Sequence, residues 1–200
     1  MLGRTDLAIL QEMTSVLDHA ETRQTVFPVS VEFYHEACRL GLIDKDVELL
    51  EGVLFTKMAK SPLHQSLARQ LQRLLERVLR PGFFVDRECP ITCEKSEPEP
   101  DVAVFAGSVT DYARQHPRTA ELVIEIAINT VQRDRSKAAI YAGAAVKEYW
   151  LLEPEAGTIT IYSQPLAGDY ASKRVINAHE TAVSEVVPGF KTCLDELMRA

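Results

Sequence analysis

The sequence has no apolar run approaching the roughly 18 residues that a membrane helix needs. It also shows no secretory leader. The N-terminus reads MLGRTDLAILQEM, with an early acid and no apolar block before a small-residue cleavage site, so a cytoplasmic protein without a membrane partner is expected. Positive charge is in deficit: 22 Lys and Arg against 29 Asp and Glu leave a net charge of −7. That balance excludes a protein that coats nucleic acid by bulk electrostatics, and a nucleic-acid enzyme would have to gather its positive charge locally. Cysteine is scarce. Cys89 and Cys93 stand four apart with no second Cys or His pair at ligand spacing, so Cys38, Cys89, Cys93 and Cys193 read as buried free thiols rather than a zinc site. Internal repeats and low-complexity tracts are missing too.

What remains is an ordinary globular composition, 46% hydrophobic and 26% charged over 200 residues, enough for one compact domain with a real core. Leu7, Leu10, Met13 and Leu17 recur at helical spacing and predict a helix over 5–20. Ser30 is placed to cap a second helix, SVEFYHEACRLG, with Phe33, Cys38 and Leu40 turned inward. Two strands are expected around the Glu51-Gly52 turn signal in VELLEGVLFTKM. Pro62 opens a long helix to Arg80, with Leu67, Leu71, Leu74, Leu75 and Val78 as its apolar stripe.

Residues 83–94 read as an extended segment, DVAVF as a short strand and 107–119 as a loop with a helical turn. AELVIEIAI (120–128) is the most β-like run. A helix is expected over 133–145, strands over 148–154, 158–163, 170–177 and 183–187, and a last helix over 193–199. This order suggests an α/β fold, one mixed central sheet flanked by helices with an extra N-terminal helix.

Glu125 is the strongest chemical signal. It lies in a run apolar on both faces, as in a strand covered on both sides. An ionised carboxylate there costs several kcal/mol unless it is paired, hydrogen-bonded or bound to a metal. Asp101 opens the Val102–Phe105 strand directly after Pro100. Alone it would be a turn residue. Beside Glu125 it makes a pair of oxygen donors on neighbouring strands, which suits Mg²⁺. Lys137 follows Glu125 by twelve residues, in the first turns of the next helix, where it can fold back to position or help deprotonate a water. The alternative is a solvated helix lysine. Asp134 reads as a helix cap.

Arg69, Arg73, Arg77 and Arg80 recur opposite the leucine stripe, and that face can either track a phosphate backbone or be merely solvated. His64, at the start of the same helix, is either a phosphate or substrate contact or an exposed polar residue.

Taken in order, PVSVEFYHEACRLGLIDKDVELLEGVLFTKMAKSPLHQSLARQL, EPEPDVAVF, ELVIEIAINT, RDRSKAAIYAGAAVKEYWLLEP and VVPGF closely resemble the Uma-two family, restriction-endonuclease-like proteins of the PD-(D/E)xK superfamily. The resemblance spans roughly residues 28–190. It implies a restriction-endonuclease-like domain over 28–200 and a Mg²⁺ site in which Mn²⁺ can substitute, and it leaves the expected helical extension over 1–27 outside. Asp101 matches the PD aspartate and Glu125 the acid of (D/E)xK. Glu51 matches a glutamate that joins the metal site from an earlier element, His64 a histidine at the helix start, and Tyr141 a tyrosine supporting the lysine. Ala127 stands where the motif lysine belongs, and Lys137 fits a lysine that has migrated to the following helix. Residues 128–132, INTVQ, depart from the usual Ser-Pro-Ser-type turn.

The resemblance implies a metal-dependent endonuclease acting on DNA, for which a homodimer would be natural. The competing expectation is a nuclease fold that binds nucleic acid or a protein partner without cutting.

Overall fold

The structure, a computed structural model, describes residues 20–23 and 25–199. The helix expected over 5–20 lies outside these, apart from Ala20, which opens a single turn, Ala20–Arg23. The elements that follow are α1 (Val31–Arg39), β1 (Val47–Leu50), β2 (Val53–Thr56), α2 (Pro62–Val78), β3 (Phe83–Asp86) and β4 (Val102–Ala106). After a 3₁₀ turn (Val109–Tyr112) come β5 (Leu122–Ile126), α3 (Val131–Gly143), β6 (Glu148–Glu153), β7 (Thr158–Leu166) and β8 (Asp169–Asn177). The chain closes with β9 (Thr181–Val183), β10 (Lys191–Cys193) and α4 (Leu194–Arg199).

Six strands form one sheet in the order β3-β4-β5-β6-β7-β8. Every pairing is antiparallel except β5 with β6, whose parallel register requires a crossover, and α3 supplies it. The mixed, helix-flanked sheet expected from the element order is therefore present. Strand alternation sorts the core into two layers. Val102, Val104, Ile124 and Trp150 point to the face covered by α2 and α4. Ala103, Phe105, Val123 and Tyr149 point to the face covered by α3. Odd-numbered residues of β4 and β5 thus face α3, and the same parity carries Asp101 and Glu125 to that side. No helix among the described residues is long and apolar enough to cross a membrane.

Two local devices aim elements at this region. Ser61 caps α2 by accepting from the His64 N–H, with Pro62 in the first turn. Glu51 and Gly52 both have positive φ, 49° and 79°, as a two-residue hairpin turn between β1 and β2 requires. A Cβ on Gly52 would also stand 2.6 Å from the Pro28 Cβ, so only glycine fits.

Three expectations are corrected. Phe33 and Leu40 are 62% and 56% exposed, because the inward stripe of α1 runs Val31, Tyr34, Ala37, Cys38. The extended segment over 83–94 is a strand only to Asp86, after which Glu88 turns at φ 58°. The strand expected over 183–187 is instead Thr181–Val183, paired with a short β10.

Candidate active site

The β4–β5 ladder pairs Val102 with Ile124, and the same register continued by one residue sets Asp101 opposite Glu125. The two carboxylates interlock with each other's backbone. Asp101 N–H donates to Glu125 Oε2 at 3.3 Å, and Ile126 N–H donates to Asp101 Oδ2 at 2.8 Å. Both side chains are buried, at 6% and 3% exposure.

Lys137, on the second turn of α3, extends its ammonium into the same space. It lies 3.1 Å from Glu125 Oε1, 3.1 Å from Glu48 Oε2 and 3.6 Å from Asp134 Oδ1. Lys137 thus stands against Glu125, whereas Ala127 is packed in the apolar layer under α3. Tyr141 donates its hydroxyl to Glu125 Oε1 at 2.7 Å, so it supports the carboxylate that the lysine contacts rather than the lysine itself. Asp134 is not the helix cap. Thr130 occupies that position, and Asp134 is buried with its carboxylate accepting from the Thr130 hydroxyl.

His64 is buried rather than exposed, and its Nε2 lies 2.9 Å from Asp101 Oδ2. Glu51 is not brought to the site. It projects from the hairpin turn into solvent, and the acid that β1 delivers to the cleft is Glu48. Arg69, Arg73 and Arg77 are exposed on α2, which ends at Val78 rather than Arg80; Arg80 is exposed just beyond it, and none of the four makes an ion pair among the described residues. The basic face starts about 7.5 Å along the axis from His64 and runs away from the cleft, at about 1.5 Å per residue. The positive charge at the cleft mouth comes from elsewhere. Lys57 pairs with Glu99 at 2.8 Å, Lys60 with Asp101 Oδ1 at 3.1 Å, and Arg133 donates to the Thr56 carbonyl at 2.9 Å.

Glu48 carries a sequence signal of the same kind as Glu125, an acid inside an apolar strand, Val47-Glu48-Leu49-Leu50. Lys57 and Lys60 carry none, since a loop lysine looks the same wherever it points.

The electrostatics follow from burial and crowding. Burial pushes the Glu125 carboxyl up to about 8; the Lys137 ammonium works against this, while Asp101, Asp134 and Glu48 add to it. Burial also acts to raise Asp101, but His64, Lys60 and the Ile126 N–H outweigh it and hold Asp101 below the usual carboxylate range. Burial would lower Lys137, yet the charges of Glu125, Glu48 and Asp134 prevail and raise it above the ordinary lysine value. Lys137 is therefore a fixed cation and not a base.

A pH dependence results. The folded Glu125 carboxyl therefore releases its proton at a higher pH than the 4.5 of an unfolded glutamate. Between those values the folded state binds more protons, so this group lowers stability as pH rises. Urea unfolding at pH 5 to 8 in EDTA is expected to show Glu125→Gln with a shallower loss of stability than wild type. An unchanged slope would show that Glu125 is ionised throughout.

The donor chemistry fits a divalent cation. Each carboxylate has one committed oxygen: Asp101 Oδ2 accepts from two donors, and Glu125 Oε1 from Lys137 and Tyr141. Among the described residues, Asp101 Oδ1 has only Lys60, and Glu125 Oε2 only a long N–H contact. Both residues line one open cleft with about 590 Å³ of empty volume. Among the described residues no group of three or more His, Cys, Asp or Glu is spaced to hold a metal ion. A pair of carboxylates is what Mg²⁺ commonly takes, the remaining positions going to water and phosphate oxygens.

Known proteins share this architecture. The family model described as "Uma2: Putative restriction endonuclease" matches residues 31–196. Among solved structures, a protein described as "a putative nuclease belonging to DUF820" from Anabaena variabilis is similar with a TM-score of 0.71. The likeness covers 86% of this chain and 98% of that one at 16% identity, and at that identity it is a likeness of fold. No curated protein matches the chain.

Proposed function

The chain belongs to the Uma2 family, described as "Putative restriction endonuclease", and from that premise we propose that it is a Mg²⁺-dependent endonuclease hydrolysing DNA phosphodiester bonds. The observation that carries this reading is the paired, buried Asp101 and Glu125, with a permanently charged lysine 3.1 Å from the second. Asp101 and Glu125 would hold the cation, which when bound supplies Lewis-acid activation of water and offsets phosphate charge. Mn²⁺ would serve as well.

The chain's own groups account for the rest. Asp101 is kept ionised by His64 and Lys60, ready to act as an oxygen donor. Glu125 is oriented by Tyr141 and Lys137 through one oxygen, which leaves the second to the long contact with the Asp101 N–H. Lys137 is preorganised to stabilise negative charge developing on phosphate oxygens, the task for which a fixed, desolvated cation is most effective. Lys57, Lys60 and Arg133 at the cleft mouth would grip the flanking backbone. The exposed arginines of α2 would extend that track along DNA. A cut through both strands takes two such sites, which a homodimer would bring together.

Purified wild type incubated with plasmid and single-stranded DNA in Mg²⁺ or Mn²⁺ is expected to cut, and Glu125→Gln is not. Equal cutting by both would identify a contaminant and remove the enzyme reading. The second reading, a nuclease fold that binds without cutting, draws on the neutralisation of both carboxylates by Lys60 and Lys137. It predicts DNA binding with no cleavage by wild type in either metal.

For the α2 arginines, replacing Arg69 and Arg73 by Gln is expected to weaken duplex binding. The slope of log K against log salt should fall by about 0.9 for each phosphate that is no longer neutralised. An unchanged slope would make that face merely solvated.

A further inference from the structure

The two ammonium groups at the candidate metal carboxylates are held very differently. Lys137 is 4% exposed and fixed by three buried acids. Lys60 lies on the loop between β2 and α2, with its side chain 23% exposed. Its second partner, Glu88 Oε1 at 2.9 Å, belongs to a side chain 46% exposed. Lys60 is also the sole partner of Asp101 Oδ1 among the described residues, because Oδ2 takes both His64 and the Ile126 N–H. The oxygen that Lys60 covers is thus the one Asp101 would present to a cation.

Resting on the cation reading above, we propose that Lys60 is an exchangeable counter-ion: a divalent cation displaces it from Asp101, and the released ammonium then binds the substrate phosphate. A Mg²⁺ ion sits about 2.0–2.1 Å from its oxygen ligands. An ammonium 3.1 Å from the same oxygen would face a doubly charged neighbour at close range. Lys60 leaves readily because its stem is flexible and its outer partner is solvated, whereas Lys137 has no comparable exit. Once free, Lys60 stands at the cleft mouth beside Lys57, which pairs with Glu99 and does not touch Asp101. A phosphate oxygen that approaches the cation meets both lysines. Cation and phosphate binding are then linked through one side chain, and each strengthens the other. Lys60 is in this sense both a guard of the Asp101 carboxylate and a specificity element for phosphodiester.

The test uses the full chain with Mn²⁺ as probe, titrated calorimetrically into wild type, Lys60→Gln, Lys60→Arg and Lys57→Gln. Lys60→Gln is expected to bind Mn²⁺ on the order of tenfold more tightly, since it removes a competing unit charge beside the ligand oxygen. Lys57→Gln should gain much less, and Lys60→Arg should stay close to wild type. In parallel, a fluorescent duplex oligonucleotide is expected to bind wild type more tightly in Ca²⁺ than in EDTA, with most of that gain absent in Lys60→Gln. Thermal unfolding of each variant confirms that it is folded. Equal or weaker Mn²⁺ binding by Lys60→Gln overturns the exchange while leaving the cation site intact. The same follows if Lys57→Gln gains as much as Lys60→Gln. Absence of Mn²⁺ binding in wild type and Lys60→Gln alike removes the cation reading itself, and the exchange with it.

Discussion

Replacing Lys137 with methionine is expected to lower the unfolding free energy by about 3–5 kcal/mol, the range for removing one partner of a buried charge cluster. The ammonium is the shared counter-ion of Glu48, Glu125 and Asp134, all of them nearly fully buried. Without it these acids must either take up protons or repel one another in a poorly solvated space. Methionine keeps the length of the apolar stem, so the loss reports charge rather than a cavity. The single tryptophan, Trp150, is fully buried in the sheet and makes the urea transition easy to follow. Raising the ionic strength should restore little, since screening acts weakly on buried pairs. Nuclease activity should fall by about 10²–10³-fold, as when one preorganised charge-stabilising group is removed. A loss of stability under about 1 kcal/mol would place this cluster with ordinary surface ion pairs and contradict the burial argument.

Asp101→Asn is expected to abolish Mn²⁺ binding and reduce cleavage by at least about 10³-fold, on the order expected when a metal's anchoring charge is removed. The amide is close in shape, and its oxygen can still accept from the Ile126 N–H where Oδ2 does now. Folding should survive for that reason, and the loss would be one of charge at a preformed position. Stability should change in its pH dependence. Asp101 is held below its ordinary value, so it contributes stability that is present above 3.8 and is lost as pH falls through the lower folded value. The asparagine variant should lack that acid-side loss. A variant that cuts at the wild-type rate would transfer the metal to other ligands.

Much of this site is legible in the chain alone, for a definite reason. Glu125 sits in a strand apolar on both faces, and local sequence by itself says that its charge must be compensated. Asp101 becomes informative once β4 is placed beside β5, a pairing that short strands around turn signals suggest. Lys137 reads locally as a solvated helix lysine, and it is the family resemblance, with Ala127 at the motif position, that points it to the site. What local pattern could not reveal depends on residues far apart in the sequence. Glu48, rather than Glu51, enters the cleft because the hairpin is pinned by hydrogen bonds from Gly52 N–H to the Lys95 carbonyl and from Glu97 N–H to the Leu49 carbonyl. The turn itself is identical to read in either case, and only the docking decides which acid faces inward. His64 reads as either a substrate contact or an exposed polar residue until Asp101, 37 residues later, is known to lie against it. Lys60 has no periodicity at all to betray its direction. The exposed Phe33 of α1 shows the converse failure, since a large apolar side chain does not by itself define the buried stripe.

The proposed endonuclease requires Asp101 and Glu125 to bind one divalent cation between them. Calorimetric titration of Mn²⁺ into wild type, Asp101→Asn and Glu125→Gln decides whether they do. Saturable binding is expected in the wild type and none in either variant, each variant giving a wild-type-like unfolding transition. No binding by the wild type, or binding that both variants retain, would contradict the shared site.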